Sequence, residues 1–253
     1  MADLAKTPQR RAPDIARALI VTFGGQLAVV GFFGAAVATG IGDLARRQRP
    51  GRATTVALAG AAVYVGLVEP WMSRWGSSSA ERSDELPGDD LVPDPGLVIN
   101  HAVTIDAPPE CVWSWLAQIG QDRGGFYSYE WLENLAGCRM RNADRIHIEW
   151  QRREPGEKVM LHPLAPGLAV TIFDPPQALG LEGWGVFVVR PHGTRQSRLI
   201  ARGRAPKGFP TLLHRLTLSV PHFLMERRML LGIKERAESE VETVEAAPSA
   251  DAP

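Results

Sequence analysis

Two long uncharged stretches near the amino terminus constrain the fold more than any other feature of this chain. The first, residues 18–41, has 24 residues without a charge, and the second, residues 53–68, has 16. At about 1.5 Å per helical residue, the first run is long enough to cross a hydrocarbon core of about 30 Å. Trp71 and Trp75 follow the second run as in an interfacial aromatic belt. We therefore predict transmembrane helices at about residues 18–41 and 53–70.

Two other interpretations of these runs stay open. The first run could be a cleaved signal peptide, although it is long for one and no small-residue cleavage site precedes a polar mature start. The second run is short for a span and could be a buried core helix, although it has no polar face.

Basic residues near the runs bear on the direction of insertion. Four precede the first run and four lie between the two, so the positive-inside rule gives a balance. Counting Arg74 and Arg82 with the amino-terminal side favours a cytoplasmic soluble domain, whereas the arginine-dense loop between the runs favours the opposite side. We expect the soluble domain to lie in the cytoplasm.

The net charge of zero, from 28 basic and 28 acidic residues among 253, conceals four blocks of alternating sign. Residues 1–75 are basic, 76–96 acidic and turn-rich, 97–237 mildly basic, and 238–253 acidic. We interpret these blocks as a membrane anchor, a linker, a folded domain and a disordered tail. The neutral total and the lack of a known reader motif disfavour a nucleic-acid-binding protein.

The soluble part has the pattern of a strand, two helices, a run of strands and one long helix. The first strand covers residues 97–105, and the helix after it begins near Asp106, a candidate cap, with an apolar stripe ending at Ile119. Later strands and the final helix are predicted at 158–162, 168–173, 178–181, 186–190, 198–204 and 221–245. The last strand alternates arginines with apolar residues, so one of its faces is basic. This order indicates an α+β fold in which the long helix crosses an antiparallel sheet and leaves a space between them.

Several strings of residues resemble a known superfamily. The order of elements and the opening Thr104-Ile-Asp-Ala-Pro-Pro-Glu-Cys-Val-Trp-Ser-Trp-Leu116 resemble the START-like (SRPBCC) superfamily, which includes polyketide cyclases/dehydrases, pathogenesis-related plant proteins and lipid-transfer domains. Four further strings resemble a bacterial, membrane-tethered branch of it: Pro70-Trp-Met-Ser-Arg-Trp-Gly76, Leu86-Pro-Gly-Asp-Asp-Leu-Val-Pro-Asp-Pro95, Gly125-Phe-Tyr-Ser-Tyr-Glu-Trp-Leu-Glu-Asn134 and His222-Phe-Leu-Met-Glu-Arg-Arg-Met-Leu-Leu-Gly-Ile-Lys234.

The resemblance covers about residues 70–236. It implies a helix-grip fold, in which the sheet wraps on the long carboxy-terminal helix around an apolar cavity. It also implies an integral protein of a bacterial inner membrane. It implies no particular reaction, because the superfamily contains carriers, sensors and enzymes.

The predicted ligand-binding residues come from an aromatic segment beside the Gly124-Gly125 hinge and from the final helix. Tyrosine hydroxyls beside a movable entrance suit an otherwise apolar ligand. These residues are Arg123, Tyr127, Tyr129, Trp131, Met225, Glu226 and Met229. In a structural alternative, the aromatic side chains pack on the sheet and Arg123 forms an ion pair with Glu130 or Glu133.

Glu226 and His222 are the candidate catalytic residues. A carboxylate close to the apolar stripe of the final helix needs partners or has a pKa suited to acid/base chemistry, and His222 lies one turn earlier. In the structural alternative, Glu226 pairs with arginines at the surface or with Arg123. The six histidines are scattered and no metal motif is present, so we expect neither a metal nor another cofactor.

These features favour a membrane-anchored module that binds a hydrophobic small molecule or lipid in an internal cavity. The alternative is an enzyme of cyclase, dehydrase or hydrolase type that uses polar residues of the cavity. A third possibility is a structural partner of another membrane protein, but no protein partner can be named from the residues.

Overall fold

The structure is a computed structural model that describes residues 51–246 and isolated positions between residues 31 and 46. Most of the first predicted span, at about residues 18–41, lies outside the described residues. The end of the chain, residues 247–253, lies outside them as well.

A continuous helix occupies the second apolar run. It consists of Arg52–Val63, the π-helical turn Tyr64–Val68 and Glu69–Met72, and we call residues 52–72 the apolar helix. Within the described part of the chain, one helix is long and apolar enough to cross a membrane, and it is Thr54–Met72. Only 17% of that segment is buried. The alternative of a buried core helix is therefore wrong.

Six antiparallel strands form one sheet in the order β1-β6-β5-β4-β3-β2. The longest pairing joins β1 to β6, and it runs from Pro95 opposite Pro206 to Ile105 opposite Ser197. The strands are β1 Pro95–Ile105, β2 Lys158–Val159, β3 Leu168–Asp174, β4 Ala178–Leu181, β5 Gly185–His192 and β6 Gln196–Pro206. Each predicted strand is present, although β2 is shorter than expected.

The helices of the soluble part are α1 Ser79–Ser83, α2 Pro109–Ala117, α3 Glu130–Leu135, α4 Phe209–Thr217 and α5 Ser219–Ala246, with 3-10 turns at Asp89–Leu91 and Ile148–Trp150. Sequence periodicity did not predict α4. The prediction that Asp106 caps α2 is wrong, because that helix begins after Pro108 without a side-chain cap. Proline in the first turn fixes its backbone instead. The Asp106 carboxylate accepts a hydrogen bond from Gln196.

The main core lies between the sheet and the two helices α2 and α5. The predicted stripe of α2 is confirmed, since its side chains are almost completely buried. Removing such side chains from water is the main stabilising contribution in this layer. Members of this core are Val112, Trp115, Leu116, Ile119, Phe187, Leu199, Met229, Leu230 and Ile233. The α+β architecture with its long carboxy-terminal helix is thus observed.

The acidic linker is folded against the outer face of the sheet. We call residues 79–94 the acidic strap, because its carboxylates meet the predicted basic face of β6. Arg198 donates to Glu81 over 2.6 Å, and Arg202 donates to Asp89 over 2.6 Å. Leu86 packs beneath the strap with a second apolar cluster on that face of the sheet. The acidic strap and the basic face of β6 therefore form ion pairs with each other.

The acidic tail predicted at residues 238–253 is partly helical. Helix α5 continues to Ala246, so the expectation of disorder is wrong for residues 238–246. Glu238 accepts a hydrogen bond from the Asp106 backbone N–H, and Glu240 accepts one from the Trp115 indole. These carboxylates bind groups at the end of the core, and this explains why the charged segment is helical there.

Candidate binding groove

An open groove of about 500 Å³ lies between the sheet and the first turns of α5. On one wall, β3, the β4–β5 turn and the segment after β2 contribute Leu168, Trp184 and Leu161. Phe126 and Met140 line it from the loops on either side of α3. A recess of this size with mostly apolar walls is typical of small-molecule sites.

Helix α5 presents one of its faces to this groove. His222, Met225, Glu226 and Met229 line it, at the spacings that place side chains on the same side of a helix. Further along, Leu230 and Ile233 are fully buried in the core. The first turns of the helix therefore provide a wall for a ligand, and the later turns hold the helix on the sheet.

The carboxylate of Glu226, 4% exposed, is hydrogen-bonded at both oxygens. Its Oε2 lies 2.5 Å from Nδ1 of His101, a residue of β1. Its Oε1 accepts a hydrogen bond from the Trp184 indole over 2.7 Å and lies 3.3 Å from Nε2 of His222. The side chain is thus a buried junction between the long helix, the first strand and the β4–β5 turn.

The partners of His101 determine where its protons are. Its Nε2 lies 2.9 Å from the Met72 carbonyl, which can only accept, so this nitrogen carries a proton. Burial opposes ionisation of Glu226, but the charge of His222 and the hydrogen bonds from both histidines outweigh it and lower the pKa of the carboxyl. The contacts of Nδ1 with Glu226 and of Nε2 with Met72 thus hold the His101 ring between the long helix and the apolar helix.

A pair of histidines, His222 and His214, lies next to this junction. Burial disfavours a charged His222, but the neighbouring Glu226 carboxylate prevails and raises the pKa of the imidazole. Nδ1 of His222 lies 3.4 Å from Nε2 of His214 on α4. Burial, together with the charge of His222, lowers the pKa of His214. The two imidazoles are thus within hydrogen-bonding distance, while the Glu226 carboxylate favours the charged form of His222 and burial favours the neutral form of His214.

Glu133 is a second carboxyl group of the groove, and it lacks such partners. Its side chain is 8% exposed, and Oε2 has no hydrogen-bond partner in the described part of the chain. Burial, with a smaller contribution from the charge of Glu130, raises its pKa to about 7. Nδ1 of His214 is likewise buried without a partner. Among the described residues, the groove thus contains two buried polar atoms without a hydrogen-bond partner, Oε2 of Glu133 and Nδ1 of His214.

The other face of the sheet has a recess of about 300 Å³ beneath the acidic strap. Its charged lining residues include Asp89, Arg202 and Arg204. These groups are already paired with one another, since Asp89 lies 2.6 Å from Arg202 and 3.2 Å from Arg204. We therefore take the groove beside α5 as the candidate site.

Four of the predicted residues meet in the groove. Met225, Glu226 and Met229 line it as predicted ligand-binding residues, and His222 lines it beside Glu226. The two candidate catalytic groups are thus neighbours. Both oxygens of Glu226, however, already form hydrogen bonds with protein groups. This arrangement suits a positioning role.

The other four predicted residues do not line the groove. Tyr127 is in the core, where its hydroxyl donates to the Trp115 carbonyl and burial raises its pKa. Arg123 pairs with Glu157 over 2.6 Å, not with Glu130 or Glu133. Tyr129 precedes α3, and the Trp131 side chain is 69% exposed.

Sequence reasoning did not select several polar residues of the site, including Glu133, His101 and His214. Glu133 follows Glu130 by three residues on a short aromatic helix, and this spacing of two acids on one face was the available signal. His101 lies among apolar residues of β1, which is a weak signal for a buried partner. Nothing in the local sequence indicates that α4 brings His214 to His222.

Among the described residues, no group of three or more His, Cys, Asp or Glu side chains is arranged to hold a metal ion. Neither the family models nor the curated proteins that were compared give a significant match to this chain.

Proposed function

We propose that this chain is a membrane-anchored binding protein of the START-like (SRPBCC) superfamily, and that it takes a hydrophobic small molecule or lipid into the groove beside α5. The observation that carries the proposal is the groove, with its apolar walls and its few buried polar groups. Such walls supply affinity by excluding water, and isolated polar groups orient the ligand.

Contacts of the apolar helix support a membrane location for this activity. Its last turn is joined to the soluble part by Glu69, which accepts two hydrogen bonds from Arg215 of α4. Trp71 packs edge-on against Phe223, the residue next to His222. If this helix spans a bilayer, the groove lies beside the membrane surface, where lipid-soluble ligands are concentrated. We infer a bacterial inner membrane, with the soluble domain on the cytoplasmic side.

Native mass spectrometry of the full chain, released from detergent micelles, tests this proposal. Leu161→Trp should fill the groove, whereas Leu164→Trp alters an exposed side chain of the same segment that does not line it. We expect a non-covalent small-molecule adduct on the wild-type chain and on Leu164→Trp, and loss of it from Leu161→Trp. Wild-type chain without any adduct, or an equal adduct on all three proteins, would overturn the proposal.

A second candidate function is acid/base catalysis of the cyclase, dehydrase or hydrolase type. It is favoured by Glu133, whose pKa of about 7 suits proton transfer near neutral pH. Under this proposal the wild-type chain converts a bound ligand into a product. Glu133→Gln should bind the same ligand without converting it. An unchanged ligand after prolonged incubation with wild-type protein would leave only the binding function.

A further inference from the structure

The polar side chains that line the groove indicate which chemical class of ligand it accepts. A ligand that reaches Glu133 meets a carboxyl group whose Oε2 makes no hydrogen bond within the described residues. Leaving such an atom unpaired in a buried position is costly, and a bound donor would remove that cost. The unmade hydrogen bond of Glu133 therefore favours a ligand whose polar end donates a hydrogen bond.

The charges around the groove exclude an anionic head in the same way. Of the described residues that line the groove, none is a lysine or an arginine. The imidazole of His222 is already engaged by Glu226, 3.3 Å away, and by His214. A carboxylate head would thus lose its hydration and face Glu133 without a free cation to compensate.

We propose that the ligand of this groove is an apolar molecule whose polar end is a hydrogen-bond donor, an amine or a hydroxyl, and that Glu133 receives it. An amine would form a charge-assisted hydrogen bond with the ionised carboxylate, and a hydroxyl would donate a neutral one. This inference rests on the proposed binding function and adds the class of ligand to it.

Three adamantane derivatives that share one compact apolar cage test the inference. They are 1-adamantanamine, 1-adamantanol and 1-adamantanecarboxylic acid, and their affinities for the full chain in detergent can be measured by calorimetry at pH 8. We expect the amine to bind roughly tenfold or more tightly than the carboxylate, with the alcohol between them, because a hydrogen bond to a charged group has about that effect.

Two substitutions at position 133 distinguish charge from hydrogen bonding. Glu133→Gln keeps an acceptor oxygen without the charge, so it should abolish the preference for the amine and retain the alcohol. Glu133→Leu removes both and should weaken amine and alcohol alike. Glu85→Gln, at an exposed position of the acidic strap, is the matched control and should leave all three affinities unchanged.

The outcomes separate this inference from the function on which it rests. If the three compounds bind equally well and Leu161→Trp excludes all of them, the groove is a binding site but the donor preference is wrong. Tighter binding of the carboxylate, or an amine preference that survives Glu133→Gln, also overturns the inference. If none of the compounds binds the wild-type chain, both proposals fail.

Discussion

Two carboxyl groups of the groove have opposite environments, and this difference assigns them different roles. The pKa of Glu226 is lowered by the charge of His222 and by hydrogen bonds with both histidines, and the Trp184 indole also donates to it. Glu133 has no such donors, and burial keeps its pKa near neutrality. The first carboxyl is therefore suited to hold the walls of the groove together, and the second to interact with what enters it.

Glu226→Gln should destabilise the protein by about 3–5 kcal/mol, because it removes the buried carboxylate on which His101, Trp184 and His222 converge. Thermal or urea unfolding, followed by tryptophan fluorescence, measures the loss. Glu182→Gln, whose carboxylate is 69% exposed, should change stability by less than about 0.5 kcal/mol. An equally small effect at position 226 would contradict the role of Glu226 as a buried junction.

Glu226 and His222 together predict how stability depends on pH. The lowered pKa of Glu226 contributes stability that is present above its unfolded value near 4.5 and is lost as the pH falls toward the folded value. The raised pKa of His222 contributes stability that is present below about pH 6.5 and is lost as the pH rises through the folded value. For this cluster we expect greatest stability between these limits, and a flatter profile in Glu226→Gln.

Glu133→Gln should have the reverse effect on stability. The folded chain retains the Glu133 proton up to about pH 7, whereas the unfolded chain releases it near pH 4.5. Ionisation of this group therefore costs stability as the pH rises through that interval. At pH 8 the substitution should stabilise the chain by about 1–3 kcal/mol, and at pH 4 it should have little effect. A destabilised variant at pH 8 would show that the carboxylate has a partner after all.

At the scale of elements, the acidic strap and strand β6 depend on each other. Arg202, 4% exposed, donates to Asp89, to Asn100 and to backbone carbonyls of the strap. Its guanidinium is thus the main polar connection between the strap and the outer face of the sheet.

Arg202→Ala should release the strap and destabilise the chain by about 3–5 kcal/mol, because Asp89 loses its buried partner. Limited trypsin digestion reports the release as faster cleavage after Arg82. Lys207→Ala breaks the exposed pair with Asp94, where both side chains are more than two-thirds exposed, and should cost at most about 1 kcal/mol. Equal cleavage rates in the two variants would contradict this role of Arg202.

At the scale of the whole molecule, the proposed membrane span at residues 52–72 can be tested on its exposed apolar side chains. Val63 is 51% exposed and Leu67 is 68% exposed. In membranes prepared from cells, cysteines placed at these two positions should not react with a water-soluble maleimide, after Cys111 and Cys138 are replaced by serine. Leu135→Cys, at a position 49% exposed on the soluble part, should react readily. Rapid labelling at 63 and 67 would rule out a span.

Local patterns predicted the elements of this fold better than they predicted its site. The stripe from Val112 to Ile119 and the alternation of β6 were sufficient because each periodicity depends on neighbouring residues only. The environment of Glu133 depends on which face of a six-residue helix lines the groove, and this is decided by tertiary packing. Tyr127 is of a residue type that often binds ligands, but its hydroxyl donates a hydrogen bond to a backbone carbonyl of α2.

The segment that leaves the apolar helix has a further consequence for how this domain can be isolated. Strand β1 is at the edge of the sheet, and its outer side is occupied: the N–H groups of Asn100 and Ala102 donate to the carbonyls of Ser73 and Trp75. Open strand edges promote association between chains. A fragment that begins at residue 97 would expose this edge and aggregate, so a monomeric fragment must retain the residues from about 69 onward.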